Sequence, residues 1–233
     1  METLAISVPK STQFFKILER SISRTRFKGY KLQGGTEQDA LAKCLWNTLL
    51  CESLYPGFQI LEVSFRNSVH LEISRVLGDC SWLTGEHGFL YEDELSAIKK
   101  SKESIGLGGR QLTEDVLIAE MKFGFWTSLL DSRYETLWHK IIMGVFPQMP
   151  KTIRTRREAS KMMNAVRRLR NAALHHHSIW HWKDLKDQHA QMRLLIDYIC
   201  EASAAIAAQL DRFPTVHASG LDACKKTTAI ILA

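Results

Sequence analysis

Apolar residues recur along this chain at intervals of three and four, and runs that alternate apolar and polar residues are hard to find. Such an interval places apolar side chains on one face of a helix, whereas strict alternation is typical of strands. Leucine and alanine are the two commonest residues and proline is sparse, which also favours helices. The pattern therefore predicts an all-α protein.

The N-terminal half is predicted to hold two long helices and an insertion. The first helix, over 36–53, begins at an N-cap threonine that acids follow. Tyr55-Pro56-Gly57 predicts a turn before a second helix over 58–77. Residues 78–110 are expected to form a looser insertion, with one short helix over 92–102 and a flexible glycine-rich end.

The C-terminal half is predicted to be helical with short breaks. Thr113, followed by two acids, is a second candidate N-cap, and its helix is expected to continue through Leu129. A helix over 133–145 is expected next, followed by prolines at 147 and 150. After these prolines we expect a basic helix to about His175, a turn over 178–184 and a helix over 184–210. The tail is expected to be irregular or to fold back through 230–232.

Length and composition predict one domain. A chain of 233 residues with 45% apolar content can bury one sizeable core. We expect a single helical domain over 36–212, an N-terminal segment over 1–35 and a C-terminal tail over 213–233. Charged residues interrupt every apolar run, so no membrane contact is expected. Because Met1-Glu2-Thr3 lacks the order of a secretory signal, we expect a cytoplasmic protein.

Charge indicates the kind of partner. The formal net charge of +6 favours a polyanion, although charge runs are usually solvated helix faces. Seven basic residues lie in one short stretch whose single acid is Glu158. They are Arg154, Arg156, Arg157, Lys161, Arg167, Arg168 and Arg170. The five cysteines have no metal-finger spacing, so reduced and mostly buried thiols are expected.

The basic helix also carries candidate catalytic residues. Arg167, Asn171 and His175 recur every four residues and share a face, with Arg170 one step around. RNA supplies its own nucleophile, the 2′-hydroxyl, so an enzyme has to move protons and stabilise charge on phosphorus. Histidine suits the proton steps and arginine suits the phosphate. Asn171 is expected to orient the ring of His175, and this chemistry requires no metal or other cofactor.

One chain supplies a single Arg/His set, whereas proton transfer at two oxygens is easiest with two. A twofold homodimer would bring two sets to one phosphate. The six-residue pattern is weak by itself, because a histidine near a helix end is usually a surface or capping residue.

A longer series of residues makes the pattern more specific. In chain order these are Trp46-Asn47, the run from Leu61 to Asn67, Phe123-Gly124-Phe125-Trp126, Leu129, Tyr134, Leu137-Trp138, Phe146-Pro147, Leu169-Arg170-Asn171 and His175-His176. The series, spread over 36–182, resembles the Abi-like, abortive-infection proteins of the HEPN superfamily. That resemblance implies an all-α, HEPN-like helical bundle, here with additional N-terminal helices, and a dimeric, metal-independent ribonuclease.

The resemblance assigns catalysis to Arg170 and His175, with Asn171 as the polar residue after the arginine and His176 as the second candidate histidine. The chain departs from the family pattern at Ala172, where a second arginine is typical, and at 177–179, where an acid is missing. The resemblance also suggests a small noncoding RNA as an antitoxin partner.

Other polar and aromatic residues have two interpretations each. Glu62, Arg66 and His70 can form one polar stripe, either a structural ion pair or an auxiliary RNA contact. The histidines at 175, 176, 177 and 181 match no known metal signature, so no metal site is predicted. Five aromatics are predicted to be core, namely Phe123, Phe125, Trp126, Tyr134 and Trp138, whereas Trp180 or Trp182 is a candidate for stacking on a base.

These residues together predict an endoribonuclease that acts as a phage-defence or toxin-type effector. The remaining basic residues of the helix, Arg154, Arg156, Arg157, Lys161, Arg167 and Arg168, are expected to bind the RNA backbone. The alternative is a catalytically silent module that holds a structured noncoding RNA. A second enzyme hypothesis is that a nucleotidyltransferase partner works with the domain and modifies it.

Overall fold

The computed structural model describes residues 11–31, 35–85 and 88–233, with side chains from residue 13 onward. Helices account for most of these residues, and none of them lies in a strand, which confirms the predicted all-α class. Residues 1–10 of the predicted N-terminal segment lie outside the described residues. No helix in the described part of the chain is long and apolar enough to cross a membrane.

The helices are as follows in chain order: α1 (Ser11–Ile22), α2 (Arg24–Lys31), α3 (Glu37–Leu77), α4 (Glu92–Leu107), α5 (Glu114–Glu120), α6 (Phe123–Ser128), a 3-10 helix (Ser132–Tyr134), α7 (Glu135–Val145), α8 (Arg156–Leu174), α9 (Leu185–Ile199), α10 (Glu201–Leu210) and α11 (Phe213–Leu232).

The predicted turn at Tyr55-Pro56-Gly57 is wrong, because α3 continues through Pro56. A proline inside a helix removes one backbone hydrogen bond. Burial along one face of α3 offsets that loss. The residues of this face are at most 2% exposed, and they are Phe58, Leu61, Phe65, Val69 and Ile73. Gly57 lies close to the end of the Met192 side chain, since a Cβ atom at this position would lie 2.4 Å from Cε of Met192 and would require that flexible side chain to move.

Two predicted helices are interrupted. Met121 adopts an extended backbone (φ −63°, ψ 126°) and separates α5 from α6, where one helix through Leu129 was predicted. The break allows both Met121 and Phe123 to be buried. Similarly, Cys200 (φ −160°, ψ 116°) separates α9 from α10, so the predicted helix over 184–210 is two helices.

The predicted short helix in the insertion is confirmed, and α4 extends it to Leu107. Thr113 caps α5 as predicted, since its side chain accepts a hydrogen bond from the backbone N–H of Val116 (3.2 Å). The C-terminal tail is helical, with a kink at Gly220, whose positive φ of 62° suits glycine.

The described chain divides into two compact units. The first contains 11–31, 35–54, 172–185 and 212–233. Its core is a cluster of buried residues with Phe14, Leu18, Ile22, Cys44, Leu45, Trp180 and Leu232 packed against it, and the buried members are Phe15, Phe27, Tyr30, Ala40 and Leu41. The tail helix α11 belongs to this unit and is held to α3 by a hydrogen bond from Trp46 Nε1 to the carbonyl of Val216 (3.3 Å).

The second unit contains 55–85, 88–171 and 186–211. Its core is aromatic: the ring of Phe65 packs against Phe123 and Phe146, and Trp138 stacks on Phe146. The five aromatics predicted to be core are at most 6% exposed, which confirms that prediction.

A charged network is buried in the second unit. Glu94 is 1% exposed, and its carboxylate accepts hydrogen bonds from Arg133 Nη2 (2.6 Å), the Tyr134 hydroxyl (2.6 Å) and the Ser128 hydroxyl (2.7 Å). A buried charge is tolerated when it is paired and hydrogen-bonded in this way. Burial and the carboxylate beside it raise the pKa of Tyr134, so the phenol stays protonated and donates.

Candidate functional site

Helix α8 has an apolar face and a basic one. Ala159, Met163, Val166 and Leu169 are fully buried, and their spacing of three and four residues defines the core face. On the other side, Arg157, Lys161, Arg168 and Asn171 are exposed, and we call these four residues the basic stripe. Over this span a helix rises roughly 20 Å, which is enough to follow several phosphates of an RNA strand.

Two predicted RNA contacts are used inside the protein instead. Arg154 donates from Nε to the carbonyl of Met149 (2.7 Å) and from Nη2 to that of Pro147 (3.1 Å). Arg156 pairs with Glu135 and donates from Nη1 to the carbonyl of Leu130 (2.7 Å). These bonds hold the segment before α8 in place, so neither side chain is part of the exposed grip predicted from the sequence.

Arg167 is half-buried, whereas the four residues of the basic stripe are exposed. It lines a small cavity of about 270 Å³ whose other walls are polar side chains, among them Thr127, Ser160 and Asn164. Its lower exposure distinguishes it from Arg157 and Arg168, although the sequence placed all three in one group.

The arginine of the predicted motif is held by a carboxylate. Arg170 donates to Glu62 from Nε (2.6 Å) and from Nη2 (3.4 Å), and it donates from Nη1 to Oδ1 of Asn171 (3.2 Å). The side chains of Arg170 and Glu62 are 26% and 25% exposed. The pair therefore lies at the surface with restricted solvent access.

The hydrogen-bond geometry of Arg170 leaves donors over. A guanidinium has five N–H groups, and three of them are directed to Glu62 and Asn171. Two remain, one on each terminal nitrogen, and phosphate oxygens accept from such pairs. Glu62 thus fixes the orientation of the group without using all of its donors.

The other two members of the predicted polar stripe on α3 have different surroundings. Arg66 donates to the carbonyl of Ala119 (3.5 Å) and does not pair with Glu62. His70 stacks on Trp82, with ring centroids 6.0 Å apart, and its Nδ1 lies 3.8 Å from Glu114. An ion pair within the stripe is therefore wrong for Glu62, because the partner of Glu62 is Arg170.

The candidate histidines follow the end of α8 and belong to the first unit, whereas Arg170 and Asn171 belong to the second. His176 N–H donates to the carbonyl of Ala173 (3.1 Å) and His177 N–H to that of Ala172 (2.8 Å), which is the Schellman arrangement of a helix end. His176 has the positive φ of 60° that this arrangement requires. The side chains of His175, His176 and His177 are exposed.

A buried asparagine without a predicted role holds the turn after these histidines. Asn47 is 4% exposed; its Oδ1 accepts from the backbone N–H groups of Ile179 (2.7 Å) and Trp180 (3.2 Å), and its Nδ2 donates to the carbonyl of His177 (3.3 Å). The sequence signal for this role is an amide at one of the buried positions of an amphipathic helix, because buried polar groups need hydrogen-bond partners.

The carbonyl of His176 is also bound, since Arg26 of α2 donates to it from Nη2. The turn over 178–184 is present as predicted. Trp180 packs against Trp46, with ring centroids 6.4 Å apart, and Lys43 Nζ lies 5.2 Å from its ring centre. One face of Trp180 is therefore already occupied by a cation.

Within the described ranges, no three or more His, Cys, Asp or Glu side chains form a group that can hold a metal ion. The five cysteines are free thiols; Cys224 is buried, Cys80 is exposed, and the others are half-buried. The prediction of mostly buried thiols thus applies fully to Cys224 alone.

Comparisons of this chain with models of protein families, with curated proteins and with solved structures find no match. What the site can do therefore follows from its own residues. The basic stripe can bind a polyanion along α8, and Arg170 can donate two further hydrogen bonds to a phosphate.

Proposed function

We propose that this protein is a metal-independent endoribonuclease of the HEPN type, which acts as a phage-defence or toxin-type effector in the cytoplasm. The observation that carries the proposal is the orientation of Arg170 by Glu62, with two guanidinium donors left for a phosphate.

The chemistry proceeds by attack of the substrate's own 2′-hydroxyl on the adjacent phosphorus. A base takes the proton of that hydroxyl while the bond from the 2′-oxygen to phosphorus forms. The bond from phosphorus to the 5′-oxygen breaks, and an acid gives this oxygen a proton. The products are a 2′,3′-cyclic phosphate and a free 5′-hydroxyl.

We assign the proton steps to His175 and the stabilisation of the phosphorane charge to Arg170, because their side-chain types suit these steps at neutral pH. His176 is the second candidate. A homodimer would supply the second Arg/His set, so that one histidine acts as base and the other as acid. Asn171 contacts Arg170 and is assigned to orienting the catalytic groups.

The exposed cations Arg157, Lys161 and Arg168 support RNA as the ligand, since each cation that meets a phosphate releases counterions and makes binding salt-dependent. The same cations also support the second candidate, a silent RNA-binding module. In that case a small noncoding RNA would be a bound partner and not a substrate.

The test is incubation of the purified protein with mixed RNA in the presence of a chelator. Wild type is compared with Arg170→Ala and His175→Ala, and with Arg168→Ala as the control that removes a nearby exposed arginine. The proposal expects cleavage by wild type with cyclic-phosphate ends, loss of more than about a hundredfold in the first two variants, and a smaller, salt-dependent loss in the control. RNA retention without cleavage by all four proteins would establish the silent module instead.

A further inference from the structure

A cavity of about 570 Å³ opens in the first unit beside α1 and α2. Six of the residues that line it carry the argument: Arg20, Ser23, Arg26, Tyr30, Cys51 and His176. Its volume lies within the range of cavities that hold small ligands.

The mouth of the cavity is cationic. Arg20 and Arg26 are both exposed, and no carboxylate is among the lining residues that the structure describes. Arg26 uses one donor on the carbonyl of His176, so most of its five N–H groups stay available. Two guanidinium groups without a carboxylate favour an anion with several oxygens, such as a phosphate.

The turn between α1 and α2 places these groups. Ser23 has a positive φ of 67°, and its hydroxyl accepts a hydrogen bond from the backbone N–H of Arg26 (3.2 Å). The carbonyl of Ser23 accepts from the N–H of Phe27 (3.1 Å). This tight turn brings α2 back so that Arg20, before it, and Arg26, after it, line one cavity.

The inner wall is uncharged. Tyr30 is 2% exposed, and Cys44 and Cys51 line the cavity beside it. Burial raises the pKa of the Cys51 thiol to about 11 and also raises that of Cys44. Both thiols are therefore neutral at pH 7, and this wall suits an uncharged ring better than a second phosphate.

From this division we propose that the cavity binds one nucleotide of an RNA strand, with its phosphate at Arg20 and Arg26 and its base toward Tyr30 and Cys51. The inference rests on the proposed function, because it takes RNA as the ligand. It goes further in assigning the N-terminal helices, which the catalytic motif does not involve, to substrate binding and choice of sequence. A free mononucleotide shares the same chemistry and is distinguished below.

Protection of individual cysteines from a thiol reagent locates the binding site. The wild-type protein is labelled with N-ethylmaleimide at about pH 8.5, because the raised pKa of Cys51 makes its labelling slow at neutral pH. Labelling is carried out with the protein alone and with a trinucleotide of 2′-O-methyl RNA, and each cysteine is followed by mass spectrometry. Because the methyl group blocks the attacking hydroxyl, the result does not depend on cleavage. We expect the trinucleotide to slow labelling of Cys51 severalfold and to leave the exposed Cys80 unchanged.

A matched pair of variants tests the charges. Arg20→Gln removes a guanidinium that lines the cavity, whereas Arg24→Gln removes one that does not line it and is 74% exposed. We expect Arg20→Gln to weaken trinucleotide binding about tenfold, the effect of losing one charge-assisted hydrogen bond, and Arg24→Gln to change it less than twofold.

Three results would overturn the inference. The first is no protection of Cys51 by the trinucleotide, and the second is an equal effect of the two variants on trinucleotide binding. The third is protection of Cys51 by adenosine monophosphate and not by the trinucleotide, which would make a free mononucleotide the ligand. If wild type cleaves RNA without protection of Cys51, the nucleotide site is wrong and the nuclease stands. Protection with no cleavage of ordinary RNA would support the site and contradict the nuclease.

Discussion

The carboxylate of Glu62 binds the guanidinium of Arg170 through two hydrogen bonds, of 2.6 and 3.4 Å, and so joins α3 to α8. The residues are 108 positions apart in sequence. Each is about a quarter exposed, so the pair is too solvated to be a strong source of stability. Its main consequence is that the arginine of the motif has a fixed direction.

Glu62→Ala is expected to reduce RNA cleavage at least tenfold, because Arg170 then loses the carboxylate that orients it. The free energy of unfolding should fall by only about 1–2 kcal/mol. Cleavage assays and urea denaturation check both values. The control is Glu72→Ala, which breaks another Glu–Arg pair on α3, that of Glu72 with Arg75 at 2.8 Å; an equal loss of cleavage in the control would show that the effect is a general loss of fold.

His176→Gly separates chemistry from backbone geometry at the end of α8. Glycine adopts the positive φ of 60° found there without strain, so this variant should be at least as stable as wild type, whereas His176→Ala keeps a Cβ atom at this φ, as wild type does, and should be about 1 kcal/mol less stable than His176→Gly. With His175 as the catalytic histidine, His176→Gly retains cleavage and His175→Gln does not. Cleavage lost from a fully stable His176→Gly protein would transfer the role to His176.

Local signals in the sequence predicted many helix boundaries. Thr113 was identifiable as an N-cap because the cap depends on residues within one turn, and its bond to Val116 is present. The end of α8 near His175 and the turn after it were predicted on the same local grounds. The turn predicted at Pro56 was wrong because burial along α3 outweighs the local tendency of proline to end a helix. That burial depends on elements distant in sequence.

The site was predictable only in part for the same reason. Residue type and spacing identified Arg170 and Glu62 separately, but spacing along one helix paired Glu62 with Arg66, since i, i+4 neighbours are all that a single helix shows. Likewise the sequence grouped Arg154 with the exposed arginines, although it is bound to the carbonyls of Met149 and Pro147. Partners that come from other elements could not be read from the helix itself.

Asn47→Ala is expected to lower the free energy of unfolding by about 2–3 kcal/mol. It leaves the N–H groups of Ile179 and Trp180 without the acceptor they have in the folded protein, and buried donors without partners are costly. Amide hydrogen exchange at these two positions should accelerate. The control is Asn164→Ala, which removes only a bond to Ser160 within α8 (3.2 Å) and should cost less than about 1 kcal/mol. Equal costs would contradict the role assigned to Asn47.

His70 gives the protein a predictable response to acid. Its ring stacks on Trp82, and burial lowers its pKa, more strongly than the nearby carboxylates of Glu114 and Asp115 raise it. The carboxylate of Glu114 already accepts hydrogen bonds from the backbone N–H groups of Leu83 (2.9 Å) and Thr84 (3.0 Å). It therefore does less to attract a proton to His70.

The sign of the effect follows from linkage. In the unfolded chain His70 takes up a proton near its ordinary pKa of about 6.5, whereas in the folded protein it does so only at lower pH. The unfolded state thus binds more protons as the pH falls from 7.5 toward 5.5, and the folded state loses stability over that window. His70→Phe keeps a ring against Trp82 and takes up no proton, so its free energy of unfolding should decline less than that of wild type over the same range. Urea denaturation at several pH values measures the difference between the two proteins; parallel curves would show that His70 is charged equally in both states.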